Sequence, residues 1–316
     1  MKVISVLNKS YRPTLEIDNG KIVDNPEVPE RLELIESFVD QNFEKLTFKK
    51  FPEFYVYQVH PEWYVKHIKK LSEKVRDNEY IPEFFLKDRI LDSGTPIKNN
   101  TYFAALEAVN ASLTGANALI NGEKYVYVLT RPPGHHATVD FACGYCYFNN
   151  AAIAAQYLLN LSKTKICIFD IDFHHGNGTQ EIFYENPDVL YISIHGDPEY
   201  YFPWVSGFKN EVGNGKGKGS NYNFPLPGKV EWNEYKECFE HALEIITLNN
   251  IEFLIVSLGF DTHKEDPVGD FNLDDGSYRK MGNMLKSLNI PILFIQEGGY
   301  NPDSNYRAAK ELFYKF

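Results

Sequence analysis

Three residues with side chains that bind metal ions, Asp170, Asp172 and His174, follow an apolar run at intervals of two residues (DIDFH). At the end of a β-strand, side chains two residues apart point to the same side. Asp172 and His174 can therefore reach one metal ion together, and zinc accepts both ligand types. Asp170 lies about 6–7 Å further back on that side, which suits a hydrogen-bond acceptor better than a ligand.

A catalytic zinc usually has three protein ligands and one open coordination position. Asp261 is the predicted third ligand, because it ends another apolar run and precedes a loop that Pro267 and Gly269 close. Aspartate and histidine at the ends of two separate strands are a stronger signal than a single D-x-D or H-H pair. The sequence therefore predicts a metal centre built from Asp172, His174 and Asp261.

Two further motifs carry groups that move protons. His135 and His136 follow residues 131–134 (RPPG), a rigid turn that fixes the direction of the imidazoles. Beside a metal centre they are predicted to act as general base and acid, with Asp170 orienting one ring. Tyr300 follows two glycines in EGGY, and its hydroxyl is predicted to donate to a carbonyl oxygen as that oxygen becomes an oxyanion.

Short apolar runs that alternate with longer amphipathic segments must position these residues. This pattern is typical of a buried parallel sheet with helices on both faces, a three-layer α/β/α domain. The predicted strands are 125–130, 165–172, 189–195, 253–261 and 290–296, and the predicted helices are 101–121, 148–161, 178–185, 231–248 and 274–288. In such sheets the active site lies beyond the carboxyl ends of the strands, where all of these motifs fall.

Composition limits the classes of function. With 316 residues, 43% hydrophobic, and no linker or repeat, the chain is predicted to form one domain over residues 1–316. The formal net charge of −11 argues against nucleic acid and anionic membranes as partners. The absence of a signal-like or spanning segment indicates a cytoplasmic protein. The four cysteines are expected to be reduced, with Cys143 and Cys146 simply buried rather than redox-active or zinc-binding.

Taken together, the motifs resemble the histone deacetylase superfamily. They run in the family's order as RPPGHHA (131–137), GYCYFNNAAIAA (144–155), DIDFHHGNGTQ (170–180), SIHGDP (193–198), GFD with DP (259–267) and EGGY (297–300). Three further segments, 27–36, 92–102 and 195–228, are more similar to the bacterial acetylpolyamine amidohydrolase branch. The resemblance implies an arginase–deacetylase fold and zinc-dependent hydrolysis of N-acetyl amides, which releases acetate from an acetylated amine.

The resemblance also implies a role for individual residues. Asp172, His174 and Asp261 would hold Zn²⁺. His136 would be the general base, His135 its partner hydrogen-bonded to Asp170, and Tyr300 the group that polarises the acetyl carbonyl. The implied substrate tunnel is lined by Gly144, Tyr145 and Phe202. A structural K⁺ is implied at Asp170, Asp172, His174, Ser193 and Ile194, with a second potassium site at Phe183, Asn186 and Val189.

Substrate identity stays open at this stage. Val268 occupies the position where a polyamine-selective branch of the family has a glutamate gatekeeper, and Asn177 replaces an aspartate that pairs with the second histidine in some members. The acidic chain and the tunnel favour a small acetylated cationic amine, with a rim carboxylate such as Asp92 near its distal ammonium. The alternative is a protein lysine deacetylase. Segment 200–222 is a candidate rim or homodimer loop.

Two other classes of function were weighed. Arginases share the fold but need a second metal ion, with carboxylates at the positions that Gly176 and His263 occupy here. A non-catalytic acetyl-amine-binding relic would have lost His136, Tyr300 or a zinc ligand, and all of these are present. Both alternatives are therefore less favoured than a deacetylase.

Overall fold

The structure is a computed structural model that describes residues 1–18, 21–75, 94–162 and 164–316. Its strands are β1 (Lys2–Val6), β2 (Leu15–Asp18), β3 (Lys21–Asp24), β4 (Glu44–Lys45), β5 (Tyr125–Thr130), β6 (Ile166–Asp170), β7 (Val189–Gly196), β8 (Asn221–Leu226), β9 (Phe253–Leu258) and β10 (Ile292–Gln296). Its helices are α1 (Glu30–Asn42), α2 (Phe54–Tyr57), α3 (Glu62–Lys74), α4 (Thr101–Ile120), α5 (Asn150–Ser162), α6 (Asn177–Phe183), α7 (Trp232–Leu248), α8 (Asp275–Ser287) and α9 (Pro302–Leu312), with a short 3₁₀ turn at Gly215–Gly217.

Eight strands form one sheet in the order β4-β1-β5-β10-β9-β6-β7-β8, while β2 and β3 pair separately as an antiparallel hairpin. Every neighbouring pair in the large sheet is parallel. Alternate side chains of one strand enter different cores: Tyr127 and Leu129 pack in one, and Val126 and Val128 pack in the other. A hydrophobic core therefore lies on each face of the sheet, which confirms the predicted three-layer architecture.

All of the predicted strands and helices are present, but two strands end earlier than predicted. β6 ends at Asp170 and β9 ends at Leu258. Beyond β6 the backbone leaves the ladder, because the N–H of Phe173 donates to Asp261 Oδ1 at 2.9 Å rather than to a neighbouring strand. The residues that follow both strands are therefore loops that surround the carboxylates.

Several elements were not predicted from the sequence: β1 to β4, β8, α1 to α3 and α9. Most of the missed strands are short, and β4 has only two residues. Cys143 and Cys146 are buried free thiols, as predicted. Within the described residues, no helix combines the length and the apolar character that crossing a membrane requires.

Candidate active site

The three predicted metal ligands meet at the carboxyl-terminal edge of the sheet. Asp172 and His174 lie just after β6, and Asp261 lies just after β9, the strand beside it. One possible ligand atom from each residue lies within 4.8 Å of the others. His174 Nδ1 is 3.0 Å from Asp261 Oδ2 and 3.4 Å from Asp172 Oδ1. Both carboxylates are buried.

This cluster has the donor set and spacing of a zinc site. Ligand atoms at the corners of a tetrahedron with bonds of about 2.0–2.1 Å lie about 3.3–3.4 Å apart, which is close to both distances from His174 Nδ1. Burial and the adjacent Asp172 carboxylate raise the pKa of Asp261 above its usual value, since two neighbouring carboxylates resist ionising together. A divalent cation offsets that repulsion, so the residues present fit zinc.

Backbone groups hold both carboxylates in place. Asp172 Oδ1 accepts a hydrogen bond from the N–H of His174 at 2.9 Å, and Asp172 Oδ2 accepts one from the N–H of Gly298 at 2.8 Å. A Cβ on Gly298 would lie 2.5 Å from Asp261 Oδ2, and a Cβ on Gly259 would lie 2.2 Å from Asp172 Oδ2. Both positions must therefore be glycine because the carboxylates fill the space, a requirement that the sequence did not reveal.

His135 is oriented by a buried carboxylate. Its Nδ1 lies 3.0 Å from Asp170 Oδ2, the contact expected from the strand register. Burial disfavours a charged imidazole here, but the carboxylates of Asp170, Asp172 and Glu297 outweigh it and raise the pKa of His135 to about 10. His135 is therefore the ring that carries positive charge most readily.

His136, unlike His135, lies in a site that favours the neutral imidazole. Burial, together with the charges of His135 and His174, holds its pKa well below the ordinary value. Its Nδ1 lies 2.8 Å from Asn177 Oδ1, so this nitrogen donates and Nε2 keeps a free lone pair. His136 is therefore neutral and able to accept a proton at Nε2.

Tyr300 is fixed from three directions. Its backbone N–H donates to Asp266 Oδ2 at 2.6 Å, the guanidinium of Arg31 lies 5.5 Å from the ring centre, and the ring of Tyr145 meets it edge-on at 5.9 Å. Burial and Tyr145 raise the pKa of Tyr300 well above its usual value, so the hydroxyl keeps its proton and can donate. The contacts of Asp266 and Arg31 with Tyr300 were not predicted from the sequence.

Two of the three predicted tunnel residues, Gly144 and Phe202, contact His136. Gly144 packs against the imidazole so closely that a Cβ would lie 2.1 Å from His136 Cδ2. Phe202 meets the same ring edge-on at 4.9 Å. Gly144 and Tyr145 both have left-handed backbones, with φ of 54° and 65°, a strained conformation for tyrosine that is typical of functional sites. Val268 is 36% exposed, and its side chain offers no charge.

Among the described residues, a carboxylate that was not predicted lies beside the predicted tunnel residue Tyr145. Asp92 falls outside the described residues, whereas Glu16 on β2 is buried, with Oε1 3.4 Å from the Tyr145 hydroxyl. Glu16 Oε2 accepts a hydrogen bond from Asn25 Nδ2 at 3.0 Å. The two glutamate oxygens are therefore held beside Tyr145, one of the predicted tunnel residues. Glu16 is 129 residues from Tyr145 in the chain, so no local sequence pattern could have identified it.

Three of the residues predicted for the first potassium site lie on adjacent strands, and Asp172 and His174 follow the first of these strands. Asp170 is opposite Ser193 in the β6–β7 register, and Ile194 follows on β7. Ser193 Oγ lies 2.7 Å from His195 Nδ1. The second predicted set is Phe183, Asn186 and Val189, and there the N–H of Asn186 donates to the carbonyl of Phe183 at 2.9 Å.

The positions that would hold a second metal ion in an arginase are occupied differently. A side chain at Gly176 would collide with Asp170 Oδ2, since a Cβ would lie 2.2 Å from it. His263 Nε2 lies 3.0 Å from Asp275 Oδ1 on α8, and its ring stacks on Tyr278. Neither position supplies a ligand for a second ion.

Comparison with known proteins gives consistent matches. A family model for the histone deacetylase domain matches residues 25–316. Acetylpolyamine amidohydrolase 2 of Pseudomonas aeruginosa is 46% identical over 209 residues, which make up 66% of this chain and 61% of that protein. Acetylpolyamine amidohydrolase of Mycoplana ramosa is 43% identical over 219 residues, 69% of this chain and 64% of that protein. The chain thus spans less than two thirds of the length of these relatives.

A solved structure matches over more of the chain. The acetylpolyamine aminohydrolase from Burkholderia pseudomallei has a TM-score of 0.93 at 31% identity, and the match covers 99% of this chain and 97% of that one. This likeness confirms the predicted fold class, an α/β/α domain of arginase–deacetylase type.

Proposed function

The chain belongs to the histone deacetylase domain family, and we propose that it is a zinc-dependent deacetylase that releases acetate from small acetylated amines, above all acetylpolyamines. One observation carries the proposal. A cluster that can hold a metal ion, formed by the buried Asp172 and Asp261 and the partly buried His174, lies beside a neutral histidine and a protonated tyrosine. The relatives named as acetylpolyamine amidohydrolases support the choice of substrate class.

Zinc held by Asp172, His174 and Asp261 would supply a Lewis acid that polarises the amide carbonyl and makes water more acidic. The protein provides the proton transfers around it. His136, neutral and with Nε2 free, takes the proton from the attacking water. His135, held by Asp170 in a site that favours its protonated form, lies 3.9 Å from the His136 ring centre to centre, and its charge keeps His136 neutral before the water attacks.

Tyr300 acts at the carbonyl oxygen. Because its pKa lies well above the usual value, its hydroxyl donates a hydrogen bond throughout the reaction. Such a donor contributes most when the oxygen becomes negatively charged. The cation of Arg31 over the ring adds to the stabilisation of negative charge at this position. A protonated histidine finally delivers a proton to the leaving amine, and acetate and a free amine depart.

The walls of the tunnel support a slim cationic substrate. Aromatic rings of Tyr145 and Phe202 suit a methylene chain, and the Glu16 carboxylate beside the Tyr145 hydroxyl places negative charge along it. The net charge of −11 attracts a polyamine and repels polyanions. A lysine deacetylase would use the same metal centre, so the substrate comparison below decides between the two.

We also propose that K⁺ binds near Asp170, Ser193 and Ile194, which lie together on β6 and β7. Segment 200–222 is proposed to form the rim of the entrance, and in a homodimer it would narrow the entrance further. Trp204 and Tyr200 support this, since their side chains are 49% and 71% exposed.

The test is a comparison of kcat/KM for acetylputrescine and acetylcadaverine against an acetyl-lysine peptide at equal ionic strength. The proposal expects both diamines to be the better substrates. A peptide kcat/KM equal to or above both would replace the polyamine assignment with lysine deacetylation. Chelation should abolish turnover and zinc should restore it, and absence of acetate release from every substrate would indicate a binding relic.

A further inference from the structure

Glu27 lies just before α1 and joins two arginines in the protein interior. Glu27, Arg31 and Arg131 are 0%, 1% and 0% exposed. Arg131 donates to both carboxylate oxygens of Glu27 at 2.6 Å and to its backbone carbonyl at 2.7 Å. Arg31 Nε donates to Glu27 Oε1 at 3.1 Å. Such a bidentate, charge-assisted pair has a fixed geometry as well as strength.

The first arginine leads directly into the histidine pair. Arg131 immediately precedes residues 132–134, the rigid turn that carries His135 and His136. The Arg131 Nη1 group also donates to the carbonyls of Leu7 and Tyr11 at 3.0 and 3.2 Å. Residues 132–136, here called the histidine loop, are thereby tied at their start to Glu27 and to the segment that follows β1.

The second arginine, Arg31, contacts the backbone of residues 297–300, here called the tyrosine turn. Arg31 Nη1 donates to the carbonyls of Glu297 and Gly299 at 2.9 and 3.3 Å, and its guanidinium lies over the Tyr300 ring. Glu297 Oε2 in turn accepts hydrogen bonds from the N–H groups of Gly134 and His135 at 2.7 and 3.2 Å. The contacts therefore close a ring from Glu27 through Arg131, the histidine loop, Glu297 and Arg31 back to Glu27.

We propose that Glu27 is a positioning residue that sets the His136 imidazole relative to the Tyr300 hydroxyl. This inference rests on the proposed function, in which both groups act on one acetyl carbonyl. The histidine loop follows β5 and the tyrosine turn follows β10, and Glu27 is the carboxylate that both arginines share. Because a misplacement of about 1 Å can reduce a rate about a hundredfold, one shared carboxylate can control the rate without touching the substrate.

The test compares Glu27→Gln with Glu30→Gln at saturating zinc. A neutral amide offers one acceptor oxygen in place of two, so it cannot keep every hydrogen bond that the carboxylate accepts from the two arginines. The kcat should therefore fall about a hundredfold while KM changes less than about threefold. Glu30 is the matched control, because it lies three residues after Glu27, at the start of α1, but accepts a hydrogen bond from Arg12 at the surface, at 2.9 Å. Its substitution should leave kcat and KM unchanged.

A double-mutant cycle separates positioning from general destabilisation. If Glu27 acts through Tyr300, the kcat loss from Glu27→Gln should shrink to less than tenfold in a Tyr300→Phe background. A loss that is equally large in both backgrounds would overturn the proposal, as would a wild-type rate for Glu27→Gln. Glu27→Asp, which keeps the charge but is too short to reach both arginines, should show the same kcat loss if Glu27→Gln is unstable. Failure of both variants to fold would assign Glu27 to folding alone and overturn the proposal.

A second readout does not depend on activity. In long-range ¹H–¹⁵N spectra, the imidazole signals of His135 and His136 should shift in Glu27→Gln but not in Glu30→Gln. Unshifted signals would contradict the role of Glu27. An inactive wild-type protein would instead contradict the proposed function, and the spectra would still test the position of the histidine loop.

Discussion

Replacing Gly298 by alanine should weaken metal binding at least a hundredfold while leaving the fold intact. Carbon–oxygen contacts below 3.0 Å are essentially never observed, yet the new Cβ would lie 2.5 Å from Asp261 Oδ2 and 2.7 Å from Asp172 Oδ2. The two carboxylates would have to retreat by at least 0.5 and 0.3 Å, whereas ligand distances in metal sites tolerate about 0.2 Å. We therefore expect zinc affinity to fall at least a hundredfold, which corresponds to about 2.7 kcal/mol.

The assay is competition with a chromophoric chelator, accompanied by circular dichroism to establish that the variant is folded. Gly276→Ala provides a matched control, since Gly276 is in the first turn of α8 and a Cβ there meets nothing closer than Asp274 Oδ1 at 3.4 Å. The control should bind zinc as the wild type does. A folded Gly298→Ala protein whose zinc affinity lies within threefold of wild type would contradict this prediction. It would show that both carboxylates can move away from residue 298 without losing the metal.

Four other predictions concern single side chains. His136→Ala should lower kcat by about 10²–10⁴ at unchanged zinc affinity, and Tyr300→Phe should lower it by about 10²–10³; near-wild-type rates in zinc-loaded protein would contradict either role. Glu16→Gln should raise KM for acetylputrescine several-fold but not for neutral N-acetylbutylamine, and equal effects on both substrates would exclude charge recognition. Burial lowers the pKa of His60 from 6.5 to about 4, so the unfolded chain takes up this proton first as the pH falls. Stability should drop by about 3 kcal/mol between pH 6.5 and 4, and His60→Gln should remove that part of the slope in denaturant titrations.

The central part of the fold was predictable because each strand is buried on both faces. Residues 125–130 (YVYVLT) and 253–258 (FLIVSL) read as continuous apolar runs, and both are strands with those bounds. The ends of β6 and β9 were harder to predict. Asp172 and Asp261 follow these strands in the sequence and match the strand pattern. Their carboxylates, however, accept hydrogen bonds from the backbone N–H groups of Gly298 and Phe173. Such bonds between distant segments leave no periodic signal.

The candidate metal cluster was the easiest part of the site to predict, since the two-residue period of a strand puts Asp172 and His174 on one side, and both lie close to Asp261. The groups that surround them were missed for a common physical reason. The Glu27 carboxylate meets the Arg131 guanidinium across 104 residues, and Arg31 donates to the backbone carbonyl of Glu297 across 266 residues. Burying a carboxylate or a guanidinium alone costs free energy, and the two are stable in the interior only as a pair. The sequence therefore does not show that a given glutamate or arginine is buried, because its partner is distant in the chain.

The metal cluster and Glu16, the proposed substrate-selecting residue, are positioned by different parts of the fold. Parallel strands bring their carboxyl ends to one edge of the sheet whatever the intervening loops contain, so a metal site at that edge needs only Asp172, His174 and Asp261 at the ends of β6 and β9. The hairpin β2–β3 is outside this sheet, and the position of Glu16 is instead fixed by its contacts with Asn25 and Tyr145. Substrate preference can therefore change when residues in loops and hairpins change, while the sheet keeps the metal cluster in place. This explains why the sequence motifs indicated a deacetylase more firmly than they indicated which amine it releases.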